Sequence, residues 1–391
     1  MKAKAKPHIR PRMFQWIRDL SLLAAILLIV LFPSPAYRAA LRGMELFLFT
    51  VAPGLIPFLI LCPLFLGTRL FRRIARGFSR ISGGLFRCGG ACGPLFLMGC
   101  LSGFPAGARF VRDALSTGQI DETDSVRALC FCNVCGPLFM LGAVGVGMFG
   151  HAACGWVLAL GHYAAALITG IVMARIPVRG ASTPPRSCPP VMPRPESPKP
   201  FLSSLGRSVQ NAMQTMLLVG GYIILGSVAA ALMDACGLWS ALYLLFGPMV
   251  SPLGITQELF TGAASGVIEI SGGCARITAA AAPLWMRLGL CALVIGFSGF
   301  AIIGQTTALW EGFPFPVWRY LGARMIHAIT AAALTVTAAL LLPLDQLALA
   351  VSATPSPVRA ALRTRDGISF ILMGLLLAGY LYTAYKNKKA P

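Results

Sequence analysis

Charge is scarce in this chain of 391 residues: 12% of its side chains are Asp, Glu, Lys or Arg, against 57% hydrophobic. A soluble domain carries about twice that charged fraction, so the shortage excludes an ordinary water-soluble fold. With a mean hydropathy of +0.75, the composition is that of a polytopic integral membrane protein. Acidic residues are scarcer still, 13 against 33 basic, for a net charge of +20. Most basic residues sit between apolar runs, the positive-inside pattern of a membrane protein. No basic run is interleaved with aromatics, so nucleic acid is excluded as a partner and the lipid bilayer takes its place.

Histidine is rare too, with His8, His151, His162 and His327 scattered along the chain. The cysteines lie mostly inside apolar runs and read as small buried hydrophobes. Cys88, Cys92, Cys130, Cys132 and Cys135 have no histidine companion, and Gly-Pro follows two of them. Neither a metal nor another cofactor is expected. Catalytic constellations are also missing. Ser102-Gly-Phe-Pro lacks the glycine spacing of a nucleophile elbow, and Glu258 and Glu269 stand on opposite sides of a glycine break. An enzyme is not expected; an intramembrane hydrolase or lipid-modifying enzyme is the outlying alternative.

What the chain does have is a run of broken apolar segments. Cys-Gly-Pro-Leu-Phe-Leu-Met-Gly at 92–99 recurs at 135–142 with only Leu97 and Met98 exchanged. Between the two copies lie Ser102-Gly-Phe-Pro-Ala-Gly-Ala-Arg109 and a polar interlude at 113–127. Neither apolar copy makes an uninterrupted span. Non-helical backbone at membrane depth must be buried in protein or line a polar cavity, and such discontinuities point to a transporter's binding site.

In chain order, a basic segment precedes an apolar run at 20–32, read as an uncleaved first helix with a cytoplasmic N-terminus. A second span, 46–67, is interrupted by Pro53, Pro57 and Pro63, and a basic belt from Arg69 to Arg87 follows. Asp121 or Thr123 is placed to cap a short helix ending near Cys130, and 152–174 is an ordinary span. Proline-rich 177–200 reads as an extended cytoplasmic linker. The second half repeats the grammar: a long helix at 205–233, a shorter run at 238–250, a glycine-broken stretch at 259–278, and spans at 284–303 and 322–342. Phe297-Ser-Gly-Phe300 echoes Leu101-Ser-Gly-Phe104. A last apolar run, 368–385, has basic flanks. The fold expected is an all-α polytopic membrane protein with two gate-like halves, broken or re-entrant helices and an inverted repeat. Its parts are 1–40, a first half 41–176, the linker 177–200, a second half 201–343, and a polar loop with a C-terminal helix at 344–391.

Ionisable residues at membrane depth cost roughly 2.5–3.5 kcal/mol each on insertion scales, so each needs a reason. Glu269 sits in the apolar pentad Gly-Val-Ile-Glu-Ile. It is either ion-paired to Arg276 or a cavity-lining, proton-coupling group. Arg109 abuts the first break, as an interfacial snorkelling side chain or an anion anchor, with Asn133 facing it from the second. Half-helix N-termini offer unpaired N–H groups to a carboxylate, and Gly99, Gly103 and Gly107 let a ligand approach the backbone. The expected substrate-binding set is Ser102, Gly103, Phe104, Gly107, Arg109, Asn133, Gly136, Glu269, Ser271, Gly272 and Ser298, around a small-molecule anion. No driving ion or oligomeric state can be read; a homo-oligomer is compatible with the sequence.

Ser102-Gly-Phe-Pro-Ala-Gly-Ala-Arg, Phe131-Cys-Asn-Val-Cys-Gly-Pro-Leu-Phe, Gly142-Ala-Val-Gly-Val-Gly-Met-Phe and Gly266-Val-Ile-Glu-Ile-Ser-Gly-Gly together resemble the sporulation integral membrane proteins of the nucleoside-recognition (gate domain) group. The similarity covers about 41–342, and it is strongest to the members implicated in moving dipicolinic acid across the outer forespore membrane. It implies transport of that dianion in the mother-cell or outer forespore membrane, and kinship with concentrative nucleoside transporters, whose re-entrant hairpins meet at a midplane site. A nucleoside or other neutral-solute transporter, or a non-transporting spore-envelope scaffold, are the alternatives. Cys135 departs from the serine or threonine usual in the group.

Overall fold

The computed structural model describes residues 10–178, 201–313 and 315–342. The expected basic N-terminal stretch, most of the linker and the last apolar run lie outside the described residues.

Helix α1, Arg10–Leu31, covers the first apolar run. Trp16, Leu20 and Val30 on it are exposed, as lipid-facing side chains are. No loop separates it from the next helix. The chain re-enters helix at Pro33, where proline's fixed φ suits a first turn and its missing N–H costs nothing. The resulting α2, Pro33–Leu66, is longer than the expected 46–67 and crosses the expected boundary at residue 40. A π-turn at Phe47–Val51 absorbs the irregularity ahead of Pro53, and Pro57 and Pro63 lie within the helix. The basic belt forms α3, Arg69–Gly77, capped by Thr68, whose hydroxyl accepts from the Phe71 N–H.

The first half's broken segments follow. Helix α4, Cys92–Ser102, stops at Gly103; α5, Ala106–Ser116, turns back into the polar interlude. Asp121 then caps α6, Glu122–Cys132, by accepting from the Asp124 N–H at 2.7 Å. After Asn133 the chain is extended until α7, Leu138–Met148, which is π-helical. Both α4 and α7 are too short to span, as the sequence requires of re-entrant pieces. Helix α8, Ala152–Arg175, closes the half.

The second half opens with α9, Phe201–Ala235, which runs along α2. Helix α10, Leu238–Val250, and α11, Gln257–Ile268, meet at a bend of 114°. A one-residue break at Glu269 leads to α12, Ile270–Ala279. Helices α13, Leu284–Phe297, and α14, Gly299–Leu309, join at Ser298, a buried non-glycine residue with φ of +72°. Helix α15, Val317–Leu341, packs against α13 and α8. Among the described residues, five stretches are long and apolar enough to cross a membrane: Pro33–Leu66, Ala152–Arg175, Phe201–Ala235, Leu284–Leu309 and Val317–Leu341. The protein is an all-α, multi-pass integral membrane protein, and the described residues form one unit.

Candidate functional site

Three breaks meet around a cavity of about 90 Å³. The first contributes Ser102, Gly103 and Phe104, the second Cys135, Gly136 and Pro137, and the third Glu269, Ile270 and Ser271. Thr50 of α2, Val219 and Ile223 of α9, and Ile302 and Gln305 of α14 complete much of the wall.

The first and second breaks touch through glycine. Gly103 has φ of +90°, and a Cβ on it would stand 2.6 Å from the Gly136 nitrogen. On either side, a Cβ on Gly99 or Gly107 would stand 2.0 or 2.1 Å from the Cys132 carbonyl oxygen. The spacing that suggested close approach by a ligand therefore serves close approach by the chain's own second break.

The third break is held by its own side chain. Glu269 is extended, ends α11 and caps α12; its two carboxylate oxygens accept from the Ser271 and Gly272 N–H groups at 2.9 and 2.8 Å. A carboxylate here also complements the positive end of the α12 dipole. The side chain is 6% exposed, and that exposure is to the cavity. Arg276 does not pair with it. That guanidinium binds Asp234 instead, with contacts of 2.7 and 3.2 Å. The N-terminal N–H groups expected to await a substrate carboxylate are thus already occupied, by Glu269 at α12 and, at α5, by Asn133, which accepts from the Ala108 N–H at 3.3 Å.

Behind the second break lies a sealed polar network. Asn133 donates to the Thr306 hydroxyl at 3.0 Å and the Tyr320 hydroxyl at 2.7 Å. Arg324, fully buried, donates to the carbonyls of Asn133 at 2.9 Å and Cys130 at 2.7 Å. Those carbonyls end α6 and have no partner within the helix. His162 accepts from the Cys135 N–H at 2.9 Å and lies 3.2 Å from His327.

Of the residues expected from sequence, Ser102, Gly103, Phe104, Gly136, Glu269 and Ser271 line the cavity. Gly107, Gly272 and Asn133 stand one step behind the wall, and Ser298 sits in the turn between α13 and α14, its hydroxyl donating to the Phe297 carbonyl. Arg109 is elsewhere. It reaches α9, donating to the Asn211 carbonyl at 3.1 Å and to the Thr215 hydroxyl, with Asp113 at 3.4 Å. No lysine, arginine or histidine lines the cavity among the described residues. Gln305 was not singled out in the sequence; it is 2% exposed, faces the cavity and has no side-chain hydrogen bond among the described residues. Its signal was a lone amide in the apolar run of α14. Arg324 carried a plainer one, a charge within a predicted span.

The chain is 28% identical over 314 residues to the sporulation integral membrane protein YlbJ of Bacillus subtilis (strain 168), covering 77% of this chain and 76% of that protein. No family model matches the sequence, and no solved structure does.

What the cavity offers a solute is specific. Glu269 brings negative charge with lone pairs to spare, Gln305 a free amide, and Thr50 and Ser271 hydroxyls. A carboxylate and an amide, each largely desolvated, bind hydrogen-bond donors well and leave an unaccompanied anion poorly served.

Proposed function

We propose that this protein transports a small polar solute across a membrane of the sporulating cell, binding it where the three helix breaks meet. The observation that carries this is Gln305, an amide without a hydrogen-bond partner among the described residues, facing Glu269's cavity. A solute in the cavity can give that amide a hydrogen-bond partner. Similarity to a sporulation membrane protein supports the setting. A carrier fits better than an enzyme, because the Cys135 thiol is directed at the Gly136 carbonyl, 3.8 Å away, and not at the His162 ring.

The chemistry of the wall bears on the substrate. A nucleoside or other neutral solute rich in N–H and O–H groups meets Glu269 and Gln305 directly. A dianion such as dipicolinate, which the family resemblance favours, enters only with its charge offset by protons or an accompanying cation. The outer forespore membrane is the location this second reading requires. Purified protein in proteoliposomes would be given labelled dipicolinate, with and without a divalent cation, and labelled uridine. Saturable uptake of one of them, cut at least about tenfold by Gln305→Leu, is expected. Well-folded protein that takes up none of them, alongside a deletion strain with spores of normal dipicolinate content, would leave a spore-envelope scaffold as the better account.

A further inference from the structure

We infer that His162 and Tyr163, adjacent on α8, are positioning residues that set the spacing between the first and second breaks, and that His327 fixes His162 in the one tautomer able to do this. This rests on the cavity being the solute site.

The tautomer follows from hydrogen-bond bookkeeping. A backbone N–H can only donate, so the His162 Nε2 that lies 2.9 Å from the Cys135 nitrogen carries a lone pair. A neutral ring then bears its proton on Nδ1. That nitrogen lies 3.2 Å from His327 Nε2, which must accept. The His327 proton is left on its own Nδ1, which has no partner among the described residues. Charged rings do not fit. A doubly protonated His162 has no acceptor for Cys135, and both rings are buried beside the cation of Arg324, three residues from His327 on α15. Tyr163, whose ring lies against His162, carries no charge that would offset another cation.

Tyr163 supplies the second grip. Its hydroxyl lies 3.0 Å from the Cys100 carbonyl and 3.2 Å from the Cys135 carbonyl. Consecutive helical residues point about 100° apart, so α8 holds the N–H and the C=O of Cys135 from two directions. Cys100 lies three residues before Gly103, and Cys135 immediately before Gly136. The clamp therefore straddles the contact of the two glycines that closes one side of the cavity. His162 and Tyr163 touch no solute; they act through the wall.

Two measurements test this on the full-length protein in bilayers. With ¹⁵N-labelled histidine, and only four histidines in the chain, magic-angle-spinning NMR should show His162 protonated on Nδ1 and bare on Nε2. His327→Leu should weaken that preference, leaving the Cys135 N–H alone to hold it. A protonated Nε2 in the parent would overturn the clamp whether or not any solute is transported. The second measurement is the apparent KM for dipicolinate or uridine, whichever is taken up. Losing one hydrogen bond to the wall should raise KM about three- to tenfold in His162→Leu and Tyr163→Phe, with Vmax per folded molecule nearly unchanged. His162→Gln, whose side-chain oxygen can still accept from Cys135, should stay near the parent. Equal KM values for the Leu and Gln variants would show a role in stability alone. If neither solute is taken up, the proposed transport fails while the nitrogen spectra still decide the clamp; if the Leu variant fails to fold, the Gln and Tyr163→Phe variants carry the comparison.

Discussion

Glu269 and Arg324 each neutralise the end of a half-helix, one at the start of α12 and the other at the end of α6. Glu269 accepts from two N–H groups; Arg324 donates to two carbonyls. Both charges come from the second half of the chain, and neither has an ion-pair partner among the described residues. What separates them is open space. Every neighbour of Arg324 is protein, including the Tyr320 ring 5.2 Å from its guanidinium carbon, whereas Glu269 faces the cavity with lone pairs uncommitted. The same electrostatic device therefore secures the fold at one break and borders the cavity of the proposed site at the other.

Removing the sealed charge should damage the fold most. Arg324→Gln would strand the carbonyls of Cys130 and Asn133, each bonded to a charged donor worth about 1.5–3 kcal/mol, so a loss of about 3–5 kcal/mol is expected in detergent unfolding. Arg324→Lys keeps the charge without the planar fork and should fall between. A parent-like melting curve for Arg324→Gln would erase the distinction drawn between the two charges.

Next in size is the contact that the breaks share. Gly103→Ala combines a left-handed backbone position with a clash against backbone, which should cost at least about 1–3 kcal/mol and shrink the cavity. Differential scanning fluorimetry reads the first effect and solute affinity the second; neither changing would mean that the breaks part easily.

Arg109 is a third charge at a break and differs from both. It is charged and adjoins a break, yet it binds α9 and Asp113 rather than the cavity. Arg109→Gln should lower stability by about 1–2 kcal/mol and leave solute KM within about threefold. A large rise in KM with unchanged stability would restore the arginine as an anion anchor.

The smallest effect is expected outside the spans. Burial raises the Asp124 carboxyl from its ordinary 3.8 to about 6, against the opposing pull of the Gly89 N–H, which it accepts at 2.8 Å. A carboxyl raised in the folded state favours folding most when protonated. Its contribution is full below pH 3.8 and is lost as pH rises through about 6. Asp124→Asn should flatten the pH dependence of stability across that window, and an unchanged slope would assign it to other groups.

Much of this was legible in the sequence, and for reasons that differ by residue. The duplicated Cys-Gly-Pro-Leu-Phe octet marked two broken segments, and the Asp121 cap, the Ser102–Phe104 break and the apolar setting of Glu269 all carry local signals. Which helix ends were already satisfied was not legible, because Glu269 caps within its own turn while Asn133 reaches Ala108 across 25 residues. Arg324 acts on a break some 190 residues earlier, and the sequence shows four histidines without showing that His327 touches His162, 165 residues before it. The apolar run at 20–32 gave no sign that Pro33, directly after it, starts the next helix.

If the proposed transport holds, Glu269 works through the cavity and not only through the fold. Uptake and melting temperature of Glu269→Gln, measured on the same purified sample, separate the two roles. The amide oxygen can still cap one α12 N–H, so melting should shift little, by about 1 kcal/mol or less of stability. Uptake should fall about ten- to a hundredfold, the worth of a charge-assisted hydrogen bond to the solute. Full uptake by a well-folded Glu269→Gln variant would contradict the claim and make Glu269, like Arg324, a part of the scaffold.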